Sequence, residues 1–283
     1  MKKLVAVLLL AAGIVPAAQS RVDEERSAMG PEPDVSSVWT GRVVKALSLG
    51  FSDLLADLYW MRAIQYYGTQ KIAGTGFANL SPLLETAAEL DHRFSIVYRY
   101  GAVFLSEQSP IGAGQPEMGV ALLAKGADRN PGDWRLRQEQ GLFTFFYLND
   151  SVRGAEILQQ ASRIPGAPDW MAALAAQILS RGGELEAALN MWLIIREQSE
   201  PGILRDNAGD QIKIVRSRIL ARDMTEAIKA HRERTGETPP TLAALRRAGV
   251  IRGTTDLAGI EFDFDPEKGT VSISRRSPLW RRN

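Results

Sequence analysis

The sequence predicts an all-α protein, in which a run of helical hairpins is followed by a long helix and a small terminal β-hairpin. Apolar residues recur at three- and four-residue steps through most of residues 47–235, which is the period of amphipathic helices. Glycine and proline separate these stretches, as in NPGD, IPGAP and RGG, and mark short turns. The alternation typical of strands occurs only after residue 250, in IEFDF and TVSIS.

The composition is that of an ordinary globular protein. Its 283 residues are 45% hydrophobic and 24% charged, with a formal net charge of +1. This near-zero charge gives no electrostatic reason to expect nucleic acid as a partner. Because the chain has no cysteine, disulfides, thiolate metal sites and a cysteine nucleophile are excluded.

Residues 1–20 are predicted to be a signal peptide. Lys2 and Lys3 precede an apolar run at 4–15, and the small residues of PAAQS follow it, which is the layout of a secretory signal. The alternative is an uncleaved membrane anchor, although the run is shorter than the ~20 residues of a spanning helix. In either case we expect a periplasmic protein, or one anchored through this segment to the outer face of the cytoplasmic membrane.

Residues 21–46 are predicted to be a linker, because MGPEPDVSS combines proline, glycine and polar residues without a period. The first long helix then begins in FSDLLADLYWMRAIQYYG, with Ser52 as its N-cap. Its apolar stripe comprises Phe51, Leu54, Leu55, Leu58, Met61 and Ile64. Further helices are predicted in SPLLETAAELD and at 94–106, 117–129, 134–148, 152–163, 169–181 and 184–198.

Two of the later helices echo each other at an offset of 34 residues. ALLAKGADRNP at 121–131 and AEILQQASRIP at 155–165 share two alanines, an arginine and a proline at matching positions. Earlier in the chain, Val97-x2-Tyr100-Gly101-x2-Phe104 fills the first half of a known 34-residue pattern, W-x2-L-G-x2-Y. Ile64-x2-Tyr67-Gly68 repeats its start.

On these motifs the chain resembles tetratricopeptide-repeat (TPR) proteins between residues 47 and 202. The resemblance implies a solenoid of stacked helical hairpins, with repeats at 61–93, 94–133, 134–167 and 168–201. Arg137 and Gln140 depart from the pattern, because apolar residues are usual at both places. A generic array of helical hairpins is the alternative.

The resemblance also implies a binding site. In TPR proteins the first helices of the repeats line a concave groove that holds partner peptides. Carried over by register, this groove would be lined by Tyr98, Ala102, Leu105, Arg135, Gln138, Leu142 and Phe145. Most aromatic residues of the first helices are interpreted as core. The set comprises Trp60, Tyr66, Tyr67, Tyr98, Tyr100, Phe143, Phe145, Phe146 and Tyr147.

Residues 203–283 are predicted to form a capping segment. A long charged helix covers 204–235, a short helix in TGETPPTLAALRRAGVI ends near Gly249, and a hairpin joins IEFDF to TVSIS through DPEKG. This order resembles the C-terminal part of pseudopilin-type proteins of type II secretion and type IV pilus systems. We expect the long helix to cover the end of the repeat array.

Catalytic and metal-binding patterns are sparse. The two histidines, His92 and His231, stand in no catalytic motif, and neither a nucleophile elbow nor a phosphate loop occurs. Asp263, Asp265 and Glu267 alternate as calcium ligands can, but Lys268 stands where a calcium loop needs glycine. A hairpin turn explains them better. We therefore predict a protein without catalytic residues, cofactor or metal.

Together these features predict a non-enzymatic interaction scaffold or assembly factor of the bacterial envelope. The resemblance of its C-terminal part to pseudopilins implies a connection to pilus or secretion machinery. Its partner would be another envelope protein or peptide segment. Two alternatives stay open: an accessory subunit of an envelope enzyme complex, and a solenoid that binds a small ligand.

Overall fold

The computed structural model of the protein describes residues 20–21, 40–237 and 239–280. In these ranges the chain forms eleven helices and one two-stranded antiparallel sheet. The predicted all-α class with a small β-hairpin is therefore confirmed. The predicted signal peptide, apart from Ser20, lies outside the described residues, as do residues 22–39 of the predicted linker.

The helix boundaries follow the predicted ones closely. The elements are α1 (Gly41–Leu47), α2 (Ser52–Ala73), α3 (Leu80–Leu90), α4 (Ser95–Ser106), α5 (Pro116–Arg129), α6 (Trp134–Leu148), α7 (Ser151–Ser162), α8 (Trp170–Arg181), α9 (Leu185–Gln198), α10 (Ile203–Thr235), α11 (Leu242–Arg247), β1 (Asp263–Asp265) and β2 (Thr270–Ser272). Helix α1 is a correction, because it occupies the last part of the predicted linker. Ser52 is a second correction: it is the first helical residue, and Phe51 is the N-cap.

The chain divides into two compact units, residues 1–122 and 123–283. This division differs from the boundary expected at residue 203. In the first unit α3 packs against α1, α2 and α4. Val44 of α1, Ala56 of α2 and Leu90 of α3 form a small apolar cluster there. Gly101 lets α4 come close to α3 and α5, because a Cβ at this position would lie 3.0 Å from Leu84 and 2.9 Å from Leu122.

Helix α2 does not bury the apolar stripe that its sequence suggests. Its buried side chains are Ala56, Ala63, Tyr66 and Gln70. Of the predicted stripe, Leu55 is half-buried and packs against the cluster of Val44, Ala56 and Leu90. The other five residues are exposed: Phe51, Leu54, Leu58, Met61 and Ile64. Both sides of α2 are apolar, so helical periodicity alone could not indicate which side faces the core.

In the second unit each helix from α6 to α10 packs against the next. Their shared core includes the fully buried Leu158, Met171 and Trp192. Gly141 of α6 and Gly154 of α7 allow the closest approach: a Cβ on Gly141 would lie 2.9 Å from the carbonyl oxygen of Gly154. The second helix of each pair begins at Leu80, Pro116, Ser151 and Leu185, at steps of 36, 35 and 34 residues.

Helix α10 contributes buried residues to two separate hydrophobic cores within the second unit. Its first half contributes Ala208, Ile212 and Val215 to the core of α7–α9. Its second half contributes Ala221, Met224 and Ile228 to a separate cluster with α11 and the terminal hairpin, whose members are Leu242, Leu245, Ile251, Phe262 and Val271. The long helix thus joins the helical pairs to the C-terminal segment by hydrophobic packing.

Two polar side chains in the C-terminal segment cap a helix and a turn. Thr241 accepts a hydrogen bond from the Ala244 amide and caps α11. The hairpin pairs Asp265 with Thr270, and the Asp265 carboxylate accepts the Glu267 and Lys268 amides, each at 3.1 Å. These amide bonds lower the pKa of Asp265 and make this carboxylate the cap of a turn.

A buried carboxylate fixes the segment between α11 and the sheet. Asp256 is 5% exposed and accepts hydrogen bonds from the amides of Ala258 at 2.9 Å and Ile260 at 3.0 Å. The hydroxyl of Ser277 donates to the other oxygen of the same carboxylate. Asp256 therefore ties residues 256–260 to the end of the chain.

Candidate interaction surfaces

The seven residues predicted to line a groove fall into two groups, one in each compact unit. Tyr98, Ala102 and Leu105 lie on α4 and are at most 1% exposed. The Tyr98 hydroxyl donates to the carbonyl oxygen of Ala88 in α3. The prediction is wrong for these three residues, because they form the side of α4 that packs into the core of the first unit.

The other four residues lie together on the accessible side of α6. Arg135 is exposed, and Gln138, Leu142 and Phe145 are half-buried. The opposite side of α6 carries the buried Leu136, Gln140, Gly141 and Thr144. Trp134 and Phe146 complete this surface, which we call the α6 face: Trp134, Arg135, Gln138, Leu142, Phe145 and Phe146.

The α6 face combines an arginine with aromatic rings. The guanidinium carbon of Arg135 lies 4.4 Å from the centroid of the Trp134 ring, a cation–π distance. Phe145 and Phe146 have ring centroids 4.9 Å apart, and Phe146 is 64% exposed. The Asp133 carboxylate accepts a hydrogen bond from the Arg135 amide at 3.1 Å and caps the helix. The Trp134–Arg135 pair therefore lies at the start of α6.

Three α6-face residues also pack against the core of the second unit. Trp134, Leu142 and Phe145 contact its buried residues while keeping part of their surface accessible. Side chains fixed in this way lose little conformational entropy when a partner binds. Arginine and aromatic residues are also the types that contribute most to protein interfaces.

Two aromatic residues near the end of α6 are more exposed than their sequence suggests. Phe146 and Tyr147 belong to the aromatic set that is expected to be mostly core, yet they are 64% and 39% exposed. Both lie on a helix whose apolar residues go nearly all round its circumference, so their side could not be read from the spacing. A signal was nevertheless present: four consecutive large apolar residues follow Thr144, and one side of a helix cannot bury all of them.

Arg137 and Gln140, the two residues that depart from the repeat pattern, are hydrogen-bonded to each other. Gln140 is 5% exposed, and its side-chain oxygen accepts from the Arg137 guanidinium at 3.1 Å. The same guanidinium donates to Asp128 at 2.8 Å. A buried amide is tolerated when its hydrogen bonds are made, so this polar pair replaces an apolar contact on α6.

In the first unit an aromatic stack joins α2 to α4. The Phe104 ring lies 6.0 Å from Trp60 and 4.2 Å from Tyr67, nearly parallel to both. The Tyr67 hydroxyl lies 3.0 Å from the Glu107 carboxylate and 2.8 Å from the Ile111 carbonyl oxygen. Burial, together with the hydrogen bond to Glu107, raises the pKa of Tyr67. These rings serve packing, since they fill the space between two helices.

A cavity of about 360 Å³ in the second unit lies between α8, α9, α10 and β2. Arg218, Arg222 and Trp280 line it together with Ser180 and Leu185. Arg218 donates to the Ser180 hydroxyl at 3.1 Å, and burial with the nearby charge of Arg181 lowers the pKa of Arg218. The walls of this cavity mix charged and apolar groups.

Two further features concern metal ligands and membrane spans in the residues that the structure describes. No group of three or more histidine and acidic side chains is arranged there to hold a metal ion. None of the helices in the described ranges has both the length and the apolarity to cross a bilayer.

Comparison of the chain with models of known protein families, with curated proteins and with solved structures gives no match.

Proposed function

We propose that this chain is a non-enzymatic scaffold or assembly factor of the bacterial cell envelope, which captures another protein or peptide segment on the α6 face. The observation that carries the proposal is the pairing of Arg135 with Trp134 beside the exposed ring of Phe146. A preformed surface of this composition suits recognition of a protein, and no charge pattern in it favours nucleic acid.

A TPR-like architecture is part of the proposal. The steps of 36, 35 and 34 residues between successive second helices support it, as do the close contacts at Gly101 and Gly141. Gly68 weighs against it in the first repeat, because no atom lies within 4 Å of a Cβ placed there. In this architecture α6 would be the first helix of the third hairpin, where TPR proteins bind their partners.

The cellular setting is proposed from the sequence. The N-terminal signal or anchor indicates a periplasmic location, or attachment to the outer face of the cytoplasmic membrane. The pseudopilin-like order of the tail favours type IV pilus or type II secretion machinery over other envelope pathways. The alternative is an accessory subunit, whose partner would be the catalytic polypeptide of an envelope complex.

Site-specific photo-crosslinking tests the α6 face directly. A photoreactive phenylalanine analogue replaces Phe146 in the chain expressed in its own bacterium, and a matched variant carries the analogue at Glu156, which is exposed on α7. We expect a discrete adduct from position 146 only. Arg135→Ala should remove the adduct without changing helix content, because the Arg135 side chain is exposed and can be truncated without opening the core.

The identity of the adduct separates the candidate functions. A pilus or secretion component supports the assembly factor, and a catalytic polypeptide supports the accessory subunit. Equal adducts from positions 146 and 156, or an adduct that persists in Arg135→Ala, would show that the α6 face is not the binding surface.

A further inference from the structure

Helix α2 carries apolar residues on two opposite sides. Ala56, Ala63 and Tyr66 are buried against the first unit. On the other side Leu54, Met61 and Ile72 are 57%, 50% and 91% exposed. A helix that is apolar all round is normally buried all round, so the exposed side requires a second surface to cover it.

The exposed side has the spacing of a coiled-coil seam. Its members, which we call the outer seam, are Phe51, Leu54, Leu58, Met61, Gln65, Gly68 and Ile72. They follow one another at alternating steps of three and four residues, as the a and d positions of three heptads do. The buried Ala56, Ala63 and Gln70 fall at the heptad position opposite to this seam. The pattern therefore indicates one helix packed alongside another.

We propose that the outer seam is a homodimer interface, in which α2 of one copy packs antiparallel against α2 of a second copy. A two-fold interface needs a self-complementary surface, and the charges beside the seam provide one. Asp57 and Lys71 are both exposed and lie on the same edge of the seam, two heptads apart. In the antiparallel alignment, each Asp57 faces the partner subunit's Lys71.

The same alignment also matches large side chains with small ones. Leu58 comes opposite the partner subunit's Gly68, and Met61 comes opposite the partner subunit's Gln65. Gly68 has no atom within 4 Å of the place where a Cβ would be, so it leaves an open notch for Leu58. A parallel alignment would place glycine against glycine and glutamine against glutamine, and would leave the notches empty.

The size of the seam sets the strength of the dimer. From Phe51 to Ile72 the seam is ~32 Å long, and with a helix ~12 Å wide it would cover roughly 400 Å² on each copy. About 800 Å² in total lies below the roughly 1,200 Å² of stable specific interfaces and in the range of weak, transient ones. We therefore expect a weak, concentration-dependent dimer.

Sedimentation of the full chain over a range of micromolar concentrations tests the seam. Leu58→Asp places an uncompensated carboxylate in the seam of each copy, so we expect at least a ~100-fold weaker dimer. Ile96→Asp is the matched control, because Ile96 is 44% exposed on α4 and Leu58 is 47% exposed. The control should dimerise as the wild type does, and both variants should keep the helix content of the wild type.

Charge reversal tests the alignment. Asp57→Lys and Lys71→Asp should each weaken the dimer, and the double variant should restore it. Arg62 lies on the other edge, close to its own counterpart in the antiparallel pair, so Arg62→Ala should strengthen association. In a parallel pair Arg62 would face Asp57, and the same change would weaken the dimer, which would overturn the antiparallel arrangement.

Disulfide trapping gives an independent readout, because the chain has no cysteine of its own. A mixture of Leu54→Cys and Ile72→Cys chains should form a crosslinked dimer on oxidation. Leu54→Cys alone should not, because the two copies of residue 54 are ~27 Å apart along the antiparallel pair. Efficient crosslinking of Leu54→Cys with itself would refute the alignment.

Two outcomes would overturn the proposal as a whole. The first is a full chain that remains monomeric at every concentration tested. The second is a monomeric chain that floats with vesicles of phosphatidylethanolamine and phosphatidylglycerol and loses this binding in Leu58→Asp, since the seam would then lie on a bilayer.

Discussion

Replacing Gly141 by alanine tests how closely α6 and α7 approach. A Cβ at Gly141 would lie 2.8 Å from Cγ of Leu158 and 2.9 Å from the carbonyl oxygen of Gly154. Leu158 is fully buried and the second atom belongs to the backbone, so neither can move without separating the two helices. Overpacking of this kind costs about 1–3 kcal/mol.

The change also has a favourable side. Alanine in a helix interior is about 1 kcal/mol more favourable than glycine, which offsets part of the overpacking. We expect a net loss of up to about 2 kcal/mol in the free energy of unfolding. Gly209→Ala is the matched control: Gly209 lies inside α10 with no atom within 4 Å of its Cβ position, and this variant should gain about 1 kcal/mol.

Urea unfolding followed by circular dichroism at 222 nm measures the difference between the variants. Gly141 and Gly209 both lie in the second compact unit, so they should shift the same transition in opposite directions. A Gly141→Ala protein that gains stability as Gly209→Ala does would mean that α6 and α7 do not approach this closely. The support that this contact gives to a TPR-like architecture would then be lost.

Three further predictions concern polar contacts. Asp256→Ala leaves buried hydrogen-bond donors without their acceptor. It should lower the free energy of unfolding by at least about 2 kcal/mol and make the C-terminal segment sensitive to limited proteolysis. Asp263→Ala, at an exposed position, is the control and should do neither. The hydrogen bond from Arg222 lowers the pKa of Glu186, so this contact stabilises the protein above the unfolded pKa and is lost as pH falls through the lower folded value. Glu186→Gln should therefore reduce the urea midpoint at pH 7 and have a vanishing effect well below pH 4.5. Burial raises the pKa of Tyr67 above 10, so its neutral form stabilises the fold until pH rises past this value. In an ultraviolet titration of the tyrosines, Tyr67→Phe should therefore remove one step from the high-pH end.

The helices could be predicted from the sequence because their signals are local. Helix α6 was expected at 134–148 and forms there, between the turns NPGD and Asn149-Asp150. The Asp265 turn was likewise recognised from DPEKG. Such features depend on residues a few positions apart, and their stop signals act whatever the rest of the chain does.

The candidate site was only half predictable. The repeat register predicts that Arg135 and Phe145 on α6 are accessible, which they are. It predicts the same for Tyr98 and Ala102 on α4, which are buried. Equivalent positions in a repeat share a helix side. Which side is covered depends on how neighbouring helices pack, and the register contains no information about that packing.

By itself, the sequence determined the elements of this protein: where the helices and the hairpin lie, their spacing near 34 residues, and the lack of cysteine chemistry. Only the tertiary structure decided which faces are covered. On α2 the small Ala56 and Ala63 face the core because they let helices approach closely, while the larger Leu54 and Leu58 stay outside. Helical propensity and periodicity act within one segment, whereas burial is a property of the segments together.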